Sequence, residues 1–120
     1  MKILIADDSK AMRCIIQAML REAGFRGHAI VEAADGRQAL EVTVKERPDV
    51  VISDWNMPHM SGIEFLRKLR ADGNAVPFGF VTTEVSPEMR QLATSSGARF
   101  LIAKPFSASD FERALADCLD

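Results

Sequence analysis

A chain of 120 residues with 48% apolar and 27% charged side chains is ordinary for one folded domain and excludes a disordered or fibrous protein. Its formal net charge of -2 lacks the basic excess that neutralises nucleic-acid phosphates, and no stretch interleaves Lys or Arg with aromatics. Cys14 and Cys118 lie outside any CxxC pair, which predicts reduced, part-buried thiols; neither a membrane span nor a signal-peptide core is found, so a cytoplasmic location is expected.

Five short runs rich in Val, Ile and Phe read as buried strands: Lys2 to Ala6, Ala29 to Ala33, Asp49 to Ser53, Val76 to Val81 and Arg99 to Ala103. After the first, Met12, Ile15, Ile16, Met19, Leu20 and Ala23 follow the spacing of one helix face, and Gly24 supplies a stop. A second helix is predicted from about Arg37 to Lys45, against the β-branched run of Val42, Thr43 and Val44. Ile63, Leu66 and Leu69 mark a third. Ser86 and Pro87 form an N-cap and first helical residue ahead of Met89, Leu92 and Ala93. In the last helix, Ser107 and Asp110 have capping-box spacing, and Phe111, Leu115, Cys118 and Leu119 share one stripe.

Strict alternation of strands and helices predicts a parallel sheet covered on both faces by right-handed crossovers. In such a sheet the functional crevice lies beyond the carboxyl ends of the strands. Polar residues sit where that rule wants them: Asp7 and Asp8 end the first strand, Asp54 the third, Thr82 the fourth and Lys104 the fifth. If the first and third strands are neighbours, the three carboxylates meet. Against one ammonium they leave surplus negative charge, which a divalent cation relieves. Few carboxylates with room for waters suit Mg²⁺, and the calcium-loop pattern is absent. Asp54 is then a phosphoryl acceptor, with Lys104 and the Thr82 hydroxyl on the remaining oxygens.

The segments IADDS at 5–9, SDWNMPHMSG at 53–62, VTTE at 81–84 and KPF at 104–106 together resemble the response-regulator receiver family, and among its members the stand-alone chemotaxis regulators. The resemblance covers essentially the whole chain. It implies a flavodoxin-like (βα)5 fold with strand order 2-1-3-4-5, and one receiver domain over residues 1–120 without an output domain. It further implies that Asp54 accepts phosphate from a histidine kinase, with Mg²⁺ held by Asp8, Asp54 and the backbone carbonyl of Asn56, and with Asp7 acting through a water. Lys104 pairs with the phosphoryl group, Pro105 follows a cis peptide bond, and Thr82 swings inward as the switch. Asn56 and Glu84 match positions that tune self-dephosphorylation. Self-phosphorylation from small phosphodonors is expected, as is a monomer that contacts its kinase, a phosphatase and a downstream target, the last through the fourth helix, fifth strand and fifth helix. Two departures stand out. Leu101 occupies the position where the family usually has Tyr or Phe coupled to the threonine, and Phe100 next to it should point to the other face. Thr83 replaces the usual Ala or Gly, narrowing access to Asp54.

Taken singly, each residue has a plainer reading. Adjacent aspartates after a strand form helix caps, Asp54 is a turn former, Thr82 and Ser86 are caps, and Lys104 is a surface charge. Their coincidence at the strand tips favours a site. His28 and His59 lack partners at ligand spacing and are expected to be solvated. Two rival functions remain at this point. A metal-dependent phosphohydrolase of the haloacid-dehalogenase type would place an aspartyl nucleophile similarly but wants a DxD pair, whereas Asp7 and Asp8 are contiguous. A receiver-like interaction module that is never phosphorylated would have no use for the intact acidic set.

Overall fold

The computed structural model describes residues 1–116 and 118. Strands β1 (Lys2–Ala6), β2 (Ala29–Ala33), β3 (Val50–Ser53), β4 (Phe78–Thr82) and β5 (Phe100–Ala103) alternate with helices α1 (Lys10–Glu22), α2 (Gly36–Glu46), α3 (Gly62–Ala71), α4 (Pro87–Ser95) and α5 (Ala108–Ala116). The strands pair in parallel in the order β2-β1-β3-β4-β5, the expected doubly wound arrangement.

Side-chain alternation divides the core into two layers. Ile3 and Ile5 of β1, in register with Val50 and Ile52 of β3, pack with Val81, Ile102, the α1 residues Ile16 and Leu20, and the α5 residues Phe111 and Leu115. The intervening Leu4 and Val51 face the other way, with Phe78 and Phe80, onto Phe65, Leu66 and Leu69 of α3. Central strands buried on both faces explain why their sequences read as unbroken apolar runs. Gly79 opens a space in β4 that the Phe100 ring of β5 fills; a β-carbon there would overlap the ring.

Several boundaries differ from the sequence expectation for identifiable reasons. β4 begins two residues later than predicted because Pro77 has no N–H to give to a ladder, although its carbonyl accepts from Val51 N–H at 2.8 Å. Asp49 lies outside β3; its carboxylate instead accepts from the Lys2 N–H at 2.7 Å. The β-branched run is helical after all. Thr43 is buried and its hydroxyl donates to the Ala39 carbonyl at 2.7 Å, while Val44 points outward, so packing of one face overrides weak local propensity.

On α1 the buried stripe centres on Ile16 and Leu20, which leaves Ile15, a residue expected on that face, 45% exposed about 100° around the helix. Cys14 is likewise exposed, not part-buried as expected; Cys118 is half-buried. Gly24 ends the helix with φ 99°, its N–H donating to Arg21 while Phe25 N–H reaches back to Leu20. His28 also departs from expectation. It is half-buried beside Phe25, with ring centroids 6.3 Å apart, and its Nδ1 is shielded without a partner. Helix α4 is capped by Ser86, which accepts from Met89 N–H at 3.1 Å. At α5 the Asp110 carboxylate accepts from Ser107 N–H at 2.8 Å, and Leu119 of the predicted stripe lies outside the described residues.

Candidate functional site

The sheet ladders continue one residue past the strand ends, and those extra rungs carry the chemistry. Asp7 N–H donates to the Ala33 carbonyl at 3.0 Å, Asp54 N–H to Ala6 at 2.8 Å, and Lys104 N–H to Thr82 at 2.8 Å. Each backbone is thus fixed by a neighbouring strand. The outcome is that Asp7, Asp8 and Asp54 each offer a carboxylate oxygen, all within 4.8 Å of one another.

Lys104 straddles the cluster, its Nζ 3.4 Å from Asp7 Oδ2 and 3.6 Å from Asp54 Oδ2. Asp7 is buried, and its Oδ1 accepts from Ser9 N–H at 2.9 Å. Asp54 is largely enclosed; Oδ1 accepts from Trp55 N–H at 2.7 Å. Asp8 is exposed and leaves one side of the pocket open to solvent. Burial pushes the Asp54 carboxyl above the usual aspartate range, Lys104 pulls it back and the charge of Asp7 pushes it up again. Three carboxylates against one ammonium repel by roughly 1–3 kcal/mol per pair, least for the solvated Asp8. An oxygen-only donor set with one side open to solvent fits Mg²⁺, a hard cation that keeps several waters.

The other expected residues lie at the strand ends, on the loops that follow them, and on β5. Thr82 is buried at the end of β4, and its Oγ1 accepts from Glu84 N–H at a long 3.4 Å. Thr83 and Glu84 are exposed on the loop that follows, and Asn56 is exposed on the loop after β3. The Lys104–Pro105 peptide bond is cis, as expected. Leu101 packs on the α3 side of the sheet and Phe100 on the α1 and α5 side, so the aromatic ring does not stand in for the missing one.

Some contributors escaped sequence reasoning. The cap of α1 is Ser9, whose hydroxyl accepts from Met12 N–H at 3.2 Å, which frees both aspartates from the capping role that adjacent aspartates commonly serve. Arg13 and Glu32 brace the β1–α1 turn through contacts no local pattern reveals. Gly62 backs directly onto the Asp54 carbonyl, and its N–H donates to Trp55 at 2.7 Å. A β-carbon at this position meets backbone, which cannot swing away as a side chain would. Gly62→Ala is therefore expected to cost about 1–3 kcal/mol of stability, as overpacked sites do, read as a lowered urea midpoint. An unchanged midpoint would show that the loop yields freely.

A parallel α/β sheet whose carboxyl edge gathers three acids, a hydroxyl and one lysine defines a phosphoryl-accepting signalling domain. The chain belongs to the response regulator receiver domain family, whose model matches residues 3–116, and it is a phosphorelay signal receiver. It is 40% identical over 117 residues to the chemotaxis protein CheY-3 of Vibrio cholerae, covering 96% of this chain and 88% of that protein. Among solved structures, CheY4 of Vibrio cholerae matches with a TM-score of 0.85 at 38% identity, over 98% of both chains. The receiver domain of the sensor histidine kinase PA1611 of Pseudomonas aeruginosa, solved with magnesium coordinated in its active-site cleft, matches with a TM-score of 0.83 at 28% identity, over 98% of this chain and 95% of that one.

Proposed function

We propose that Asp54 takes a phosphoryl group from the phosphohistidine of a histidine kinase, that Mg²⁺ is required, and that the phosphorylated form signals through protein contacts in chemotaxis or motility. The observation that carries this reading is the convergence of Asp7, Asp8 and Asp54 within 4.8 Å beneath the Lys104 ammonium. Asp8, Asp54 and the Asn56 carbonyl would hold the ion, and Asp7 would act on it through a water. A bound Mg²⁺ neutralises charge on the carboxylates and on the entering phosphoryl oxygens.

The transfer itself exchanges one bond for another. A carboxylate oxygen of Asp54 forms a bond to phosphorus as the P–N bond to the kinase imidazole breaks, and the imidazole nitrogen keeps the electron pair and takes up a proton from solvent. Trp55 N–H and Lys104 orient the carboxylate for in-line approach. The new group carries additional negative charge and acceptor oxygens, which draws Lys104 and the Thr82 hydroxyl inward. That movement shifts a pre-existing equilibrium at the α4, β5 and α5 face, where the target binds. Leu101 on this face transmits the shift by packing alone, without a hydroxyl.

Glu84 and Asn56, exposed on the loops after β4 and β3, set the lifetime of the phosphorylated state, and Thr83 restricts entry to Asp54. No helix among the described residues is long and apolar enough to cross a membrane, and the protein acts as a cytoplasmic monomer. Intact-protein mass after acetyl phosphate is the direct test: one phosphoryl increment with Mg²⁺ and none with EDTA is expected. Equal labelling in both would end the magnesium requirement, and no labelling in either would favour a receiver used only for contacts.

A further inference from the structure

We propose that Arg13 and Glu32 form a clamp that holds the Asp7–Asp8 peptide in the orientation Mg²⁺ binding needs, making Arg13 a positioning residue of the acidic pocket. The inference rests on the magnesium reading above and adds to it a residue pair outside the ligand set. Arg13 lies on α1, and its guanidinium uses two separate donors. Nε donates to Glu32 Oε1 on β2 at 2.9 Å, and Nη1 donates to the backbone carbonyl of Asp7.

That carbonyl belongs to the peptide joining the two aspartates. Because a peptide unit is planar, fixing its oxygen also fixes the N–H of Asp8 and the direction in which the Asp8 chain leaves. Asp7 has other supports, its N–H bonded to Ala33 and its carboxylate to Ser9 and Lys104. Asp8 is exposed, and its carriage depends on the turn. Glu32 pairs in register with Ile5, two residues before Asp7, so the clamp refers the turn back to the rigid part of the sheet. Only the fork of an arginine supplies two donors in this fixed relation.

Charge alone cannot account for the arrangement. A guanidinium only 13% exposed, one peptide away from a cation site, repels the cation it stands beside, and Glu32 offsets that repulsion. Nor is an ion pair with a 42% exposed acid a large source of stability. Geometry is what the pair supplies.

The two readings predict opposite signs. In a Trp55 fluorescence titration with magnesium chloride at constant ionic strength, checked by the magnesium-induced rise in thermal midpoint, Arg13→Met should bind roughly tenfold more weakly than wild type, the usual penalty for disturbing a ligand's support. It does so although a positive charge has been removed. Arg13→Lys, which keeps the charge and loses the fork, should also be weaker, and Arg13→Met with Glu32→Ala should be no weaker than Arg13→Met alone, because Glu32 acts through Arg13. If Arg13→Met folds poorly, Arg13→Lys serves in its place, because it keeps the charge and alters only the fork, and urea midpoints in EDTA confirm that each protein titrated is folded. Unchanged or tighter binding by Arg13→Met, or unchanged binding by Arg13→Lys, with a normal wild-type response, overturns the clamp alone. A wild type indifferent to magnesium in both measurements overturns the magnesium reading and the clamp with it.

Discussion

Asp54→Asn is expected to reduce phosphoryl incorporation from acetyl phosphate by more than about a hundredfold, to background, since loss of a covalent nucleophile is among the largest effects a single substitution produces. The neighbouring acids cannot compensate. Asp7 is less accessible than Asp54: its side chain is 3% exposed against 13%. Asp8 is accessible but has no comparable contact with Lys104 among the described residues. Intact mass with peptide mapping decides the matter: labelling of Asp54→Asn at the wild-type level would remove Asp54 from the acceptor role.

The same variant should be more stable than wild type in EDTA at neutral pH. Asp54 has a folded-state pKa above its unfolded value, chiefly through burial, with Asp7 adding to the rise and Lys104 opposing it. Between those two values the folded protein holds more protons than the unfolded one, so stability falls as pH rises through the window. The unfavourable contribution is complete above the folded pKa and absent below the ordinary aspartate range. The stability gain of Asp54→Asn over wild type should therefore shrink as pH is lowered through that window. Comparing the two proteins at each pH removes the opposite trend from Glu46 and Asp110, partly exposed acids whose pKa is lowered mainly by hydrogen bonds, from Lys2 and from the Ser107 backbone respectively.

The layer architecture was readable because strand and helix periods differ and each apolar run ends in punctuation the chain supplies, such as Gly24 or the Ser86-Pro87 pair. The pocket was readable for a related reason: a strand tip is a fixed place, so polar residues at four tips imply one crevice. What stayed hidden depended on contacts between distant segments. Arg13 and Glu32 are ordinary surface charges until β2 is laid beside β1. Gly62 matters only because α3 starts against the Asp54 carbonyl, and Ile15 leaves the apolar face only once Ile16 and Leu20 have set its centre. His28 looked solvated because nothing in its flanking sequence announces the Phe25 ring.

Asp8→Ala is expected to weaken magnesium binding by about 10–100-fold and to make labelling of Asp54 correspondingly dependent on high magnesium concentration. Of the three acids, Asp8 is the one on the solvent side, so it supplies an oxygen without being needed to hold the sheet together. Its removal lowers the negative charge around Asp54 and Lys104, which should leave the protein in EDTA at least as stable as wild type. With magnesium the order reverses, because a ligand that binds only the folded state stabilises it in proportion to the logarithm of its concentration over Kd. The crossing of the two stability curves as magnesium is added distinguishes a lost ligand from a damaged fold. A variant less stable than wild type in EDTA, with an unchanged magnesium midpoint, would place Asp8 among the structural residues of the β1–α1 turn and take it out of the ion's coordination.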